Sequence, residues 1–472
     1  MQKIILFGTG DRGRKLFHFL KEIGENILFW IDSDSQKWDT ELFHVPVCNP
    51  KKVLEYKDSI ICIAAIDPKR EMYQTLCAYG INPKRIYSFS EMIIESGKRV
   101  LKNSVREEKK ICARPDILFD CTNGLGLGGV EAWSMQAAAE LENYGKHAFL
   151  AVPQNSRTAN SNIAEKLLSM RIEAADTFSA EKIRSVIEGI TSKLPCIVIT
   201  SCVNDFFLAA CIVKEWYPTQ IKIISVVHQG ILAAYKEQSD AMQYVDRYVG
   251  VSRDICEGLA SQGINTDIIL HMTCPVACGN MQKRSYTLDR LIPIHIGYAG
   301  RLEVVQKRLD LLLVLLEEMD QLKIKYFLEI AGTGEYLKEI LKYIHRACLE
   351  DRVRLLGTLD RSEISDFWSR QDICINLSDY EGRSISIMEA MANGAVPVVT
   401  KTSGVREDIT DAQNGFLAET GDCHKMALAI KSLEERRYLL KSMGMKAYES
   451  ISAKCNMEDH MKFWNQVLEE VW

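Results

Sequence analysis

The sequence predicts an α/β protein assembled from three doubly wound, Rossmann-like units. Three observations lead there. The chain has 472 residues, and at roughly 150 residues per domain that length suits about three domains. It is 47% hydrophobic and 26% charged, the balance of a globular chain with large cores, which excludes intrinsic disorder and low-complexity character. Short apolar runs alternate with stretches whose apolar residues recur at helical spacing, the rhythm that builds parallel sheets.

The first unit, placed at 1–95, opens with the apolar run KIILF, a glycine turn and an amphipathic helix. A second strand, ILFWID, ends at Asp32, and a third is SIICIAAI. Gly8, Gly10 and Gly13, with Asp32 about twenty residues on, form the dinucleotide fingerprint in its strand-to-helix context. Fewer than a hundred residues leave no second half for a nicotinamide, and Asp32 also fits the turn of IDSDS. The segment resembles the small nucleotide-binding domains attached to bacterial sugar-modifying enzymes. Two readings stand for it: a nucleotide or similar phosphate ligand held by Gly8, Gly10, Gly13 and Asp32, or a docking and structural role.

Residues 96–111 change character. Lys98, Arg99, Lys102, Arg106, Lys109 and Lys110 face only Glu107 and Glu108, which reads as an exposed basic connector, with a membrane-surface role as the alternative. The second unit, 112–285, is expected to contain the strands DILFDC, HAFLAV, CIVIT, KIISVVH and IILH. The third, 286–455, contains IHIGYAG, YFLEIAG, VRLLG, DICINL and VPVVT. A closing helix at 456–472, bearing Trp464 and Trp472, is expected to pack back on the second unit.

The 58 basic and 63 acidic side chains give a net charge of −5, which argues against a dedicated nucleic-acid binder. The fifteen cysteines are scattered singly, many inside apolar runs, where free Cys behaves as a small hydrophobe. Together with the lack of a leader this predicts a reducing, cytoplasmic setting. His271, Cys274 and Cys278 are the one cluster that raises a zinc question; no second ligand pair lies nearby, so no metal is expected. No apolar run approaches the ~20 residues that span a bilayer.

The most informative stretch is YEGRSISIMEAMANGAVP, residues 380–397. Glu381 lies in the loop after the strand DICINL, a helix begins near Ser384, and Glu389 lies in its early turns. Two carboxylates separated by seven residues can thus face one crevice beyond the strand's carboxyl end, where ligands bind in open α/β sheets. Each can accept hydrogen bonds from adjacent sugar hydroxyls, and the helix start offers backbone N–H groups to an anion. A second element is GYAGRLEVVQKRLD. There Arg301 and Lys307 flank a helix start and suit a diphosphate, Arg as a bidentate fork and Lys as a compact charge.

These motifs closely resemble those of retaining glycosyltransferases with the GT-B fold, in particular glycosyltransferase family 4, over roughly residues 115–472. The resemblance implies a GT-B fold of two Rossmann-like domains preceded by the additional N-terminal one. It implies that Glu381 contacts donor-sugar hydroxyls and Glu389 the nucleotide ribose. Gly382, Arg383 and Ser384, between Glu381 and the helix, are expected to join donor binding. The family's Gly-Arg-Leu…Lys element is often completed by Gly; here Arg308 stands after the Lys and the spacing is one residue longer, so either Lys307 or Arg308 is the phosphate ligand. Gly128 and Gly129 in NGLGLGGVEAW resemble the loop that approaches the donor diphosphate. His228, ending KIISVVH, either lies beside the donor sugar or is a core histidine. The turn of Gly357, Thr358 and Leu359 is expected near the base.

The resulting expectation is a metal-independent retaining hexosyltransferase that needs no cofactor beyond its donor, a UDP-sugar first and a GDP-sugar as alternative. The acceptor would be a glycan, lipid-linked or protein acceptor in bacterial surface glycoconjugate assembly. A nucleotide-sugar epimerase, or a non-catalytic partner of a second transferase, are the alternatives. Peripheral membrane contact and a partner transferase are the further associations considered.

Overall fold

The computed structural model describes residues 2–67, 70–102, 114–121, 129–153, 168–172 and 178–472. Its strands are short, apolar and rich in Ile and Val, as strands covered on both faces by helices must be. They form three sheets. The first contains β1 (Lys3–Phe7), β2 (Asn26–Ile31), β3 (Thr40–Leu42), β4 (Val45–Cys48), β5 (Ile60–Ile63) and β6 (Ile86–Ser88), in the order β3-β4-β2-β1-β5-β6. All its pairings are parallel except β3 with β4.

The second sheet contains β7 (Asp116–Asp120), β8 (Ala148–Pro153), β9 (Leu168–Ile172), β10 (Cys196–Thr200), β11 (Ile221–Val227), β12 (Arg247–Gly250) and β13 (Ile269–His271). Its order is β13-β12-β11-β10-β7-β8-β9. The third contains β14 (Ile294–Ala299), β15 (Tyr326–Ala331), β16 (Val353–Gly357), β17 (Ile373–Asn376), β18 (Val396–Thr400) and β19 (Phe416–Ala418), in the order β16-β15-β14-β17-β18-β19. Both are parallel throughout. In the third sheet the chain runs outward from β14 to β16 and then resumes at β17 on β14's other side. The strand order therefore reverses between β14 and β17, and the loops leaving these two strands diverge around a crevice.

The first unit is not joined through an exposed connector over 96–102. Ser88 and Glu91 form a reciprocal capping box, satisfying two orphan N–H groups at the start of the helix Phe89–Val100. That helix carries the segment through Lys98, which pairs with Glu95 and with Glu215 of the second unit, and Arg99, which pairs with Glu25. Lys98 and Arg99 are thus used in ion pairs, although Arg99 and Lys102 stay exposed; residues 103–111 of the expected connector lie outside the described residues.

The partner surface is the helix Asp205–Trp216. Asn204 caps it by accepting from the Phe207 N–H, and every residue from Phe206 to Val213 is buried. A helix apolar all round must be covered on both sides: one side meets the second sheet, the other the helix Phe89–Val100. A Cβ at Gly97 would lie 2.6 Å from Ile212 Cδ1. One continuous apolar core therefore runs from the first unit into the second.

At the other end, the helix Tyr438–Ser452 packs on the helix Ile385–Ala392. The chain then crosses back at Cys455, whose carbonyl accepts from the Val276 N–H at 3.0 Å. The final helix Met457–Val471 lies against the second unit, where the His460 ring bonds to the Thr273 carbonyl at 3.0 Å. All fourteen cysteines among the described residues are free, and most are buried. Among the described residues no helix is long and apolar enough to cross a membrane.

Candidate active site

The loops after β14 and β17 meet at the reversal point. Lys307, from the first, reaches Glu381, from the second, with Nζ to Oε1 at 2.5 Å. Ser378 donates to the same carboxylate oxygen at 2.7 Å. Gln306 approaches the other oxygen at 3.4 Å and donates to the Tyr380 carbonyl at 3.1 Å, while its own amide oxygen accepts from Arg301 at 2.7 Å. Arg301 also pairs with Glu303 and keeps most of its guanidinium side chain exposed. Two cations and one buried carboxylate are thus tied together through Gln306. Neither Gln306 nor Ser378 follows from the motifs; the available signal is only that each lies within three residues of a motif position.

Arg308 takes a different place from Lys307. It begins the helix Leu309–Gln321 with φ +53°, the left-handed region that glycine occupies without steric cost. Its guanidinium is held by Asp310 and, at 2.8 Å, by Asp379. The carboxylates raise its pKa. Lys307, rather than Arg308, is the cation brought to Glu381.

Glu389 lies in the second turn of the helix Ile385–Ala392. Its carboxylate has no hydrogen-bond or ion-pair partner among the described residues, and the surrounding protein strips enough water to push its pKa up to about 7, opposed only by Arg361. Some of its surface remains open, as expected of a group lining a cleft. Arg361 itself spans the two domains, donating to the Ala132 carbonyl and to Gln136.

The three residues after Glu381 diverge. Gly382 is at a point of contact between the domains, where a Cβ would lie 1.9 Å from the carbonyl oxygen of His228. Ser384 precedes the helix start without capping it. Arg383 turns inward: it is buried, bonds Asp408 at 2.9 and 2.6 Å, and lies 3.7 Å from Cys455 Sγ. Two carboxylate contacts satisfy a charge that burial would otherwise penalise, raising its pKa. The expectation that Arg383 joins donor binding is thus corrected: its guanidinium is committed to the core beneath the site.

His228 follows β11 on the opposite wall. Burial pushes its pKa down to about 4, so the ring is neutral. Among the described residues its Nε2 has no hydrogen-bond partner, and the ring lies 5.1 Å from that of Trp133. Gly129 opens the helix Gly129–Asn143 and a Cβ there would meet Ile385 Cδ1 of the third unit at 3.4 Å; Gly128 lies outside the described residues. Gly357 has φ +68° and accepts from the Gly332 N–H at 2.7 Å. It ends the edge strand β16, with Thr358 exposed and Leu359 half-buried, two strands from the Lys307–Glu381 pair.

In the first unit, Gly8 has φ +107° and a Cβ at Gly13 would lie 2.1 Å from the Gly8 carbonyl oxygen, so both glycines are required by the turn itself. Gly10 precedes the helix with open space around it. Burial alone would raise the Asp32 carboxyl, but hydrogen bonds from Thr9, Asp34 and Lys37 outweigh it and hold the group below its ordinary range. Asp32 is therefore satisfied from within the unit. Of the zinc question, His271 lies 3.2 Å from Glu407 across the two domains; among the described residues no group of three metal-ligating side chains is found.

A fold of two facing Rossmann-like domains, with cations and carboxylates converging at the reversal point of the second, defines the GT-B class. Residues 291–450 match the family model of glycosyl transferases group 1. The N-acetyl-alpha-D-glucosaminyl L-malate synthase of Bacillus anthracis is 29% identical over 160 residues, 34% of this chain and 40% of the relative. The poly(ribitol-phosphate) alpha-N-acetylglucosaminyltransferase of Staphylococcus aureus is 28% identical over 193 residues, 38% of each. The chain thus spans about two fifths of the length of these relatives. Among solved structures, Anabaena HepE in complex with UDP and glucose superposes with a TM-score of 0.63 at 17% identity, covering 75% of this chain and all of that one. TarM superposes at 0.54 and 15%, covering 99% of both. At such identities these likenesses speak to the fold, which is GT-B.

Proposed function

We propose that the protein is a retaining, metal-independent glycosyltransferase. It moves a sugar from a nucleotide-sugar donor, UDP-linked first and GDP-linked as alternative, to a glycan, glycolipid or protein acceptor in bacterial surface glycoconjugate assembly. The observation that carries this reading is the Lys307–Glu381 pair at the reversal point between β14 and β17. A carboxylate for sugar hydroxyls and a cation for phosphate are paired in the crevice where such a donor would lie. The name of the Staphylococcus aureus relative, an alpha-N-acetylglucosaminyltransferase, and the UDP and glucose in the HepE complex support the donor class.

Arg301 and Lys307 receive the diphosphate. As the bond from the anomeric carbon to the phosphate oxygen breaks, negative charge grows on the leaving phosphate, and the two fixed cations favour that state over the ground state. Ser378 and Lys307 both occupy one oxygen of Glu381, leaving the other, with only the long Gln306 contact, to accept from donor-sugar hydroxyls. Glu389, which lacks a partner, accepts from the ribose. The acceptor hydroxyl attacks the face that the nucleotide leaves; its oxygen forms the new bond and its proton passes to the departing phosphate oxygen. Closure of the two domains around His228 and Gly382 excludes water, which would otherwise hydrolyse the donor. Arg301→Ala and Glu389→Ala should each abolish sugar transfer in a donor-turnover assay while the fold persists by circular dichroism. Full activity in both variants would overturn the assignment.

A further inference from the structure

His228 stands at the junction of the two domains, yet its imidazole makes no hydrogen bond among the described residues. What packs against the ring is Trp133, at 5.1 Å and an interplanar angle of 59°. Trp133 is in the same position: buried, with its indole N–H unpartnered. Its ring lies 5.8 Å from that of Trp464, tilted by 41°. Trp464 is wholly buried and its N–H is also unpartnered. It belongs to the final helix, which crosses back from the third unit and is tied to the second through His460 and the Thr273 carbonyl. Two buried indoles and the half-buried imidazole therefore follow one another, and among the described residues no hydrogen bond fixes any of them. Contacts within 4.5–7 Å at offset or tilted angles are the favoured arrangement of aromatic pairs, and here packing alone sets the orientation of the imidazole.

We infer that Trp464 is a positioning residue for His228, acting through Trp133, so that the docked C-terminal helix sets the geometry of a ring on the cleft wall. The inference rests on the reading of that cleft as a sugar-transfer site. The contact between the His228 carbonyl and Gly382 places the ring at the seam that closes over the donor. A shift in Trp464 is passed to His228 because no hydrogen bond resists it.

The test compares Trp464→Leu with Trp464→Phe in the full chain. Small displacements of a positioned group reduce turnover by as much as about 100-fold, so Trp464→Leu is expected to lower kcat by about 10-fold or more with the donor KM within about twofold. Trp464→Phe, which keeps a ring, should recover most of the turnover. In a His228→Ala background Trp464→Leu should add little, because its effect passes through the missing ring; an equal loss in both backgrounds would overturn the proposal. A second readout does not depend on transfer. In [13C]histidine-labelled protein the His228 ring signals, assigned by their loss in His228→Ala, should move in Trp464→Leu and return toward the wild-type position in Trp464→Phe. Unmoved His228 signals would overturn the proposal even if no sugar nucleotide proved to be a substrate, an outcome that would instead count against the transferase reading.

Discussion

Glu389 is an acid in a place that resists its charge. Desolvation lifts its carboxyl from an ordinary 4.5 to about 7. The folded protein therefore retains a proton that the unfolded chain releases. The stability this gives is complete below about pH 4.5 and is lost as pH rises through 7. Glu389→Gln should accordingly raise the melting temperature at pH 8, by on the order of 1–3 kcal/mol of stability, and leave it nearly unchanged at pH 4. Equal stabilisation at both pH values would contradict this. Its function requires the opposite form, since only a carboxylate accepts from both ribose hydroxyls, so donor affinity should weaken as pH falls below 7. The motifs singled out Glu381 and Glu389 and left Lys307 and Arg308 as alternatives; it is the fold that brings Lys307 to Glu381. The motifs did not reveal which way Arg383 turns. A charged residue beside a motif glycine reads alike whether it faces a cleft or a buried Asp408, and the partner is 25 residues away in the chain.

Among elements, the second and third units meet through glycines. Besides Gly382 against His228, a Cβ at Gly230 would lie 2.5 Å from Ser403 Cβ, and one at Gly404, whose φ is +75°, would lie 3.0 Å from Ser252 Cβ. Gly382→Ala should therefore hold the domains apart while each retains its own core. Sugar transfer should fall by about 100-fold, with a larger radius of gyration in solution scattering and little change in melting temperature. Wild-type turnover would show that this contact is dispensable. The long strands of all three sheets were legible from their apolar runs. Strands β3, β4 and β9 were not, since TEL, VPVC and LSMRI contain polar residues or a proline in place of a continuous apolar run. The helix Phe89–Val100 was masked by its basic C-terminal turn, which reads as a solvated connector; yet its start is signalled by the spacing of Ser88 and Glu91, a capping box visible in the residues themselves.

For the whole molecule, the first unit is a structural part of the second. The helix Asp205–Trp216 has no solvent-facing side, and removing the first unit would expose Ile212 and its neighbours, at about 1.5–3 kcal/mol for each large apolar side chain uncovered. A chain starting at residue 103 should be insoluble or melt at a much lower temperature than the full chain, as differential scanning calorimetry would show; a soluble fragment of unchanged melting temperature would contradict the account. The all-round apolar composition of that helix was readable, but not which unit covers it, because coverage is a property of the docked pair. A sugar nucleotide is expected to bind in the crevice between β14 and β17 through Arg301, Lys307 and Glu389. A thermal-shift titration with UDP- and GDP-sugars tests this most directly. A true donor at a hundredfold excess over its Kd stabilises the folded chain by ~2.7 kcal/mol. That shift should appear in the wild type and vanish in Arg301→Ala and Glu389→Ala; equal shifts in all three proteins, or none with any sugar nucleotide, would contradict it.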